Sequence, residues 1–185
     1  MAYRKAFLAL ASLSAIASMA GASSAAAEWI FKKEDKAFGE KEAVAMSIGD
    51  SSIVFFRCNS DGLQFSLATP EDWGDSSDTI NKLGPQIIVS IDGAAPVRFD
   101  IQISENQAHK ILAGTDDAET VRRAAGVVAS AKKRIDIGLE FLGKRYHASK
   151  LSAAGATKKI QAVLDTCAQQ AGPNEENEKE SPDSK

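Results

Sequence analysis

The chain has 185 residues, 22 of them Lys or Arg and 25 Asp or Glu, for a formal net charge of −3, with only two cysteines and two histidines. A mildly acidic chain without a basic block argues against a nucleic-acid partner, which needs clustered cations to displace counterions, and against attraction to an anionic membrane surface. Structural zinc draws on about four convergent nitrogen or sulfur ligands, so the scarcity of Cys and His argues against a metal site and no cofactor is expected.

The chain opens with Arg4 and Lys5, an uncharged apolar stretch, and Ala25, Ala26 and Ala27 directly before Glu28. A basic start, a short apolar run and small residues at the cut are what signal peptidase requires, so residues 1–27 read as a signal peptide cleaved after Ala27. The alternative, an uncleaved anchor, has the length but lacks the Leu and Ile density of a stable span. Cleavage takes away two bases and no acids, leaving 20 against 25, a net of −5, and no stable membrane insertion afterwards. The protein is therefore expected in the periplasm or outside the cell.

Beyond the leader, Trp29–Phe31, Glu42–Ile48 and Ser52–Cys58 read as strands separated by polar turns. Ile53-Val54-Phe55-Phe56 is apolar without alternation, which predicts a central strand covered on both faces. Leu63, Phe65 and Leu67 then alternate with polar or small residues, as in a strand with one buried face. The segment from Thr69 to Pro85, with its prolines, glycines and acids, reads as a long exposed loop. A hairpin follows, with Ile87, Val89 and Ile91 on one arm, the turn "DGAAP", and Val97, Phe99, Ile101 and Ile103 on the other. From Asp116 to Lys133 the period becomes helical, with Thr115 as candidate N-cap and acids in the first turn, where the helix dipole favours them. Ile135 to Phe141 and "YHASKLS" form a second hairpin. Ala156, Ile160, Val163, Leu164 and Cys167 then share one face of a last helix that stops at Gly172-Pro173. Residues 171–185 hold no large apolar side chain and read as a disordered acidic tail. The expected fold is mainly β within an α+β class: one domain over residues 28–170, an antiparallel sandwich or curved sheet with one or two helices, including a C-terminal one.

Cys58 ends a strand and Cys167 lies on the apolar face of the last helix, so both point toward the core. In an oxidising compartment two such thiols join, closing a loop of about 110 residues. A redox pair would show a Cys-x-x-Cys spacing or an exposed electropositive thiol, and neither is present.

The order "SIVFFRC", "LQFSLAT", "QIIVSIDG", "VRFDIQIS" and "RIDIGLEFLGKRYHASKLSAAGATKKIQAVLDTC" resembles the exported domains of the invasion-associated locus B family, and also the VasI family associated with type VI secretion. The resemblance covers about residues 28–170. It implies a periplasmic β-sandwich-like protein without known catalytic residues, linked in some members to host interaction or envelope processes. It carries over no site beyond the Cys58–Cys167 disulfide.

The search for chemistry finds little. His109 and His147 are far apart and lack helical pairing. No Gly-x-Ser-x-Gly elbow occurs, although Ser149 follows His147 by two positions and so shares its side of a strand. Asp116-Asp117 belongs with the helix start. Glu71, Asp72, Trp73 and Asp75 are the candidate binding residues, since an aromatic among acids in a loop suits a sugar or a basic partner; the competing and more ordinary reading of Trp73 is a tryptophan that caps the sheet edge. The leading expectation is a non-enzymatic exported protein that binds an envelope, secretion-system or host protein through this loop. The alternatives are an envelope hydrolase using Glu71 and Asp72, and a structural accessory of a secretion system.

Overall fold

The computed structural model describes residues 28–35, 41–73, 76–105 and 110–170; the expected leader, the expected acidic tail, Asp75 and His109 lie outside them. Strands β1 (Ile30–Asp35), β2 (Lys41–Ile48), β3 (Ile53–Asn59) and β4 (Gly62–Ala68) form an antiparallel meander. A short helix α1 (Ser77–Asn81) precedes β5 (Gln86–Ile91), β6 (Val97–Asp100), β7 (Gln102–Glu105) and β8 (Ile111–Thr115). Helix α2 (Ala118–Ala129), the hairpin β9 (Arg134–Phe141) and β10 (Lys144–Ser152), and helix α3 (Ala156–Gln170) complete the chain. One sheet has six strands in the order β1-β2-β3-β4-β8-β7 and the other four, β10-β9-β5-β6, with every pairing antiparallel. The expected mainly-β architecture with a C-terminal helix is the one observed.

The period-two run from Val97 to Ser104 is not one strand of one sheet. The chain breaks at Ile101, whose amide donates to the carbonyl of Pro85 at 3.2 Å, so that β6 ends the small sheet and β7 ends the large one. A strand that bends across a corner keeps its alternation, and Phe99, Ile101 and Ile103 all stay buried. Strand β3 is interior, as its sequence implied, yet only one of its faces is covered. Val54 and Phe56 are buried, whereas Ile53 is 39 % exposed and Phe55 half-buried on the outer face, beside Ile48 and Met46 of β2. Helix α2 is shorter than the sequence suggested: Thr115 ends β8, and Asp117 is the N-cap, its carboxylate accepting from the Thr120 amide at 2.8 Å.

The core is threaded by aromatics. Trp29 lies 6.3 Å from Phe56, Phe56 stacks on Phe65 at 4.8 Å, and Phe65 meets Phe99 edge-on at 6.1 Å, which carries the contact from the large sheet to the small one. The buried stripe of α2 is Val121, Ala124, Ala125 and Val128, and that of α3 is Ala156, Ile160, Val163 and Thr166; the small residues let both helices approach closely. Cys58, wholly buried in β3, is joined to Cys167 of α3, with Cα atoms 5.6 Å apart.

The edge of β10 is closed by the turn between β2 and β3. Asp50 accepts from the Ser149 hydroxyl at 2.6 Å and from the Lys150 amide at 3.0 Å. These donors, with the positive Lys150 nearby, hold the Asp50 carboxyl below the ordinary carboxylate range. Gly49 is required there, because a Cβ would stand 2.9 Å from the Lys150 carbonyl oxygen. Further along the same edge, the Trp29 indole N–H donates to the Ser152 carbonyl at 3.0 Å.

The disulfide spans 109 residues of sequence, a loop whose closure is worth about 4–5 kcal/mol in the chain-entropy model. The double variant Cys58→Ser/Cys167→Ser is expected to lose several kcal/mol of unfolding free energy in urea, and reduction of the wild type should reproduce most of the loss. Coincident denaturation curves for variant and oxidised wild type would contradict this.

Candidate functional site

The segment from Thr69 to Pro85 is tied to the body, not looped away from it. The Thr69 amide donates to the Ile111 carbonyl at 3.0 Å, and the Ile111 amide donates to the Glu71 carbonyl at 3.0 Å, so the segment extends the β4–β8 ladder past its last pair. At its far end Ile80 of α1 is buried, and the Asn81 side chain both accepts from the Ile103 amide at 2.7 Å and donates to the Ile103 carbonyl at 3.0 Å. A side-chain amide that satisfies both backbone groups of one residue closes the free edge of β7.

Anchoring at both ends turns the first residues of the segment onto the β9–β10 hairpin. Glu71 Oε1 lies 2.7 Å from His147 Nδ1, and His147 is 6 % exposed. Burial pushes the Glu71 carboxyl up, but the nearby Thr69 hydroxyl, the hydrogen bond with the His147 ring and its own backbone amide outweigh this and hold it below its ordinary value. Because Glu71 is a carboxylate, Nδ1 carries the proton, and Nε2 is the nitrogen left buried with no partner among the described residues. Ser149 shares the inward side of β10 with His147, as its spacing implied, yet its hydroxyl donates to Asp50. The two side chains thus belong to separate pairs, Glu71–His147 and Asp50–Ser149, and no acid–His–Ser relay is formed among them.

Trp73 packs edge-on against Phe141 at 5.6 Å and Tyr146 at 6.0 Å, while Phe141 and Tyr146 stack at 3.7 Å with nearly parallel planes. The Lys144 ammonium lies 5.1 Å from the Tyr146 ring centre. The hairpin turns on Leu142 and Gly143, with φ of 52° and 70°. Two consecutive positive φ values are the signature of the tight hairpin turn that favours Asn-Gly. Here the first position holds a leucine, 71 % exposed at the tip beside the aromatic cluster.

Of the residues singled out from sequence, Glu71 and Trp73 are thus brought onto the hairpin, Asp72 is exposed between them, and Asp75 lies outside the described residues. Sequence reasoning passed over Phe141, Leu142, Lys144 and Tyr146, because a strand–turn–strand pattern carries no sign that its tip meets a distant segment. The available signal was the apolar residue at a turn position where Asn or Asp is the ordinary choice. No group of three or more His, Cys, Asp or Glu side chains among the described residues could hold a metal ion. No described helix is long and apolar enough to cross a membrane.

Comparison with protein-family models, with curated proteins and with solved structures gives no match.

The folded-state pKa of Glu71 is depressed below the ordinary 4.5, so its contribution to stability is present above about pH 4.5 and is lost as pH falls through the lower folded value. Glu71→Gln is therefore expected to lower the melting temperature at pH 7 more than at pH 3, flattening the acid limb of the profile relative to wild type. A profile parallel to wild type over that range would contradict the Glu71–His147 pairing.

Proposed function

We propose that the chain is a non-enzymatic exported binding protein that works in the periplasm or outside the cell, of the kind the invasion-associated locus B resemblance implies. Its target on this reading is a protein of the envelope, of a secretion system or of a host. The surface that would meet the target is the tip of the β9–β10 hairpin together with Glu71, Asp72 and Trp73.

The observation that carries this reading is Leu142. A leucine in the left-handed region costs on the order of 1 kcal/mol relative to a residue suited to it, and its exposed side chain recovers none of that by burial in the monomer. An apolar side chain held out at strain beside a supported aromatic cluster is the arrangement of a contact anchor with a rigid base. The leader-like start of the chain and the disulfide support an oxidising destination.

Leu142→Asn separates contact from fold, since asparagine suits the turn. The variant is expected to melt at or slightly above the wild-type temperature. A photo-crosslinking residue at position 142 should form an adduct of one discrete mass in the exported fraction of expressing cells, whereas the same residue at the exposed position 122 on α2 should not. Equal adducts from both positions, or none from either, would contradict the proposal.

A further inference from the structure

On the solvent face of the four-stranded sheet lies a groove of about 390 Å³, floored by Ile88 and flanked by Pro96 and Ala148. Ile88 alternates with the inward-facing Ile87 and Val89, so it points outward, yet it is only 5 % exposed. The cause stands beside it on β9. Gly138 is its cross-strand partner, and a Cβ at that position would come within 2.6 Å of the His147 carbonyl oxygen and 3.4 Å of Ile88 Cγ1. The bare backbone of Gly138 lets the Ile88 side chain lie down on the sheet, which leaves a recessed apolar floor between taller neighbours.

Four charges line this groove: Asp50, Asp136, Arg145 and Lys150. The two acids are already engaged. Asp136 accepts from Arg134 Nε at 2.9 Å, and Asp50 accepts from the Ser149 hydroxyl and the Lys150 amide. Lys150 helps hold Asp50 ionised, but neither its ammonium nor the Arg145 guanidinium makes a hydrogen bond or ion-pair contact among the described residues. An apolar floor bounded on one side by two cations with donors to offer, beside acids that each have one oxygen already hydrogen-bonded, is complementary at its Arg145–Lys150 side to an anion with an apolar body.

We propose that this groove binds a small organic carboxylate carrying an apolar chain, with the carboxylate between Arg145 and Lys150 and the chain lying over Ile88 between Pro96 and Ala148. Arginine supplies the planar two-point contact that a carboxylate accepts, and lysine adds a charge that can follow the head group. The site is independent of the hairpin tip, so failure of one proposal leaves the other standing.

Decanoate is the probe, titrated below its micellar concentration into the oxidised protein and followed by calorimetry and by amide chemical shifts. Saturable binding is expected, with the largest shifts at Ile88, Gly138, Ala148 and Lys150. Arg145→Glu and Lys150→Glu should each weaken it about tenfold, a loss of about 1.4 kcal/mol. Ala148→Trp should block the groove, and Lys158→Glu on α3 should leave affinity unchanged. Decyltrimethylammonium, with the same chain and the opposite head charge, should bind at least tenfold more weakly than decanoate. Equal binding of the two amphiphiles would overturn the proposal, as would shifts centred on Ile48 and Ile53 of the other sheet or no saturation at millimolar decanoate. Should a charge-reversal variant fail to fold, the wild-type shift map and the comparison of the two amphiphiles decide the question by themselves.

Discussion

The bond between Cys58 and Cys167 is the constraint on which the arrangement of layers depends. It fixes the last helix to an interior strand of the large sheet, and everything between the two residues must be laid out within the loop it closes. Helix α3 then covers the inner faces of β1 to β4, where an aromatic row runs from Trp29 through Phe56 to Phe65. The near end of α3 meets α2, where the Thr157 hydroxyl donates to the Ala129 carbonyl at 2.5 Å. Neither amphipathic helix would be stable alone at its length, and each draws its stability from the sheet and from the other.

With the helices filling one part of the interior, the two sheets meet directly through the Phe65–Phe99 contact and where the β2–β3 turn reaches the β9–β10 hairpin. The hairpin is gripped along its free edge by Asp50 and Trp29, and over its inward residues by Glu71. Its tip is packed by Trp73, and it holds Leu142 in a backbone conformation that leucine disfavours. A supported stem with a strained apolar tip concentrates exposed chemistry at one point. The same gripping sets the groove on the opposite side of β10: Asp50 is drawn in to cap the strand, with one oxygen held by Ser149 and Lys150, while Arg145 and Lys150 line the groove.

Much of this was legible from residue patterns because local physics determined it. The alternation in Leu63 to Leu67 and Ile135 to Phe141, the apolar face of α3 and the pointing of both cysteines toward the core all follow from periodicity, and the described residues keep them. What could not be read depends on partners remote in sequence. Alternation from Val97 to Ser104 is the same whether the strand stays in one sheet or crosses to the other at Ile101, because a bend leaves the inward residues inward. The apolar run at Ile53 to Phe56 implied two covered faces, yet a strand with one covered face tolerates exposed Ile53 where the patch beside it is also apolar. Strand β8 carries only Ile111 and Ala113 as buried residues, too short a pattern to separate from the loop around it. His147 resembled a polar edge residue until Glu71, 76 positions away, supplied the acceptor that makes its burial tolerable.

The central claim joins this architecture to a place of work outside the cytoplasm, and both halves are read by one experiment. Protein recovered from the exported fraction is alkylated with and without prior reduction, and its intact mass is measured. Our account predicts a chain beginning at Glu28 that takes up two alkyl groups after reduction and none before. A chain that retains its first 27 residues, or one whose two thiols label without reduction, would contradict it.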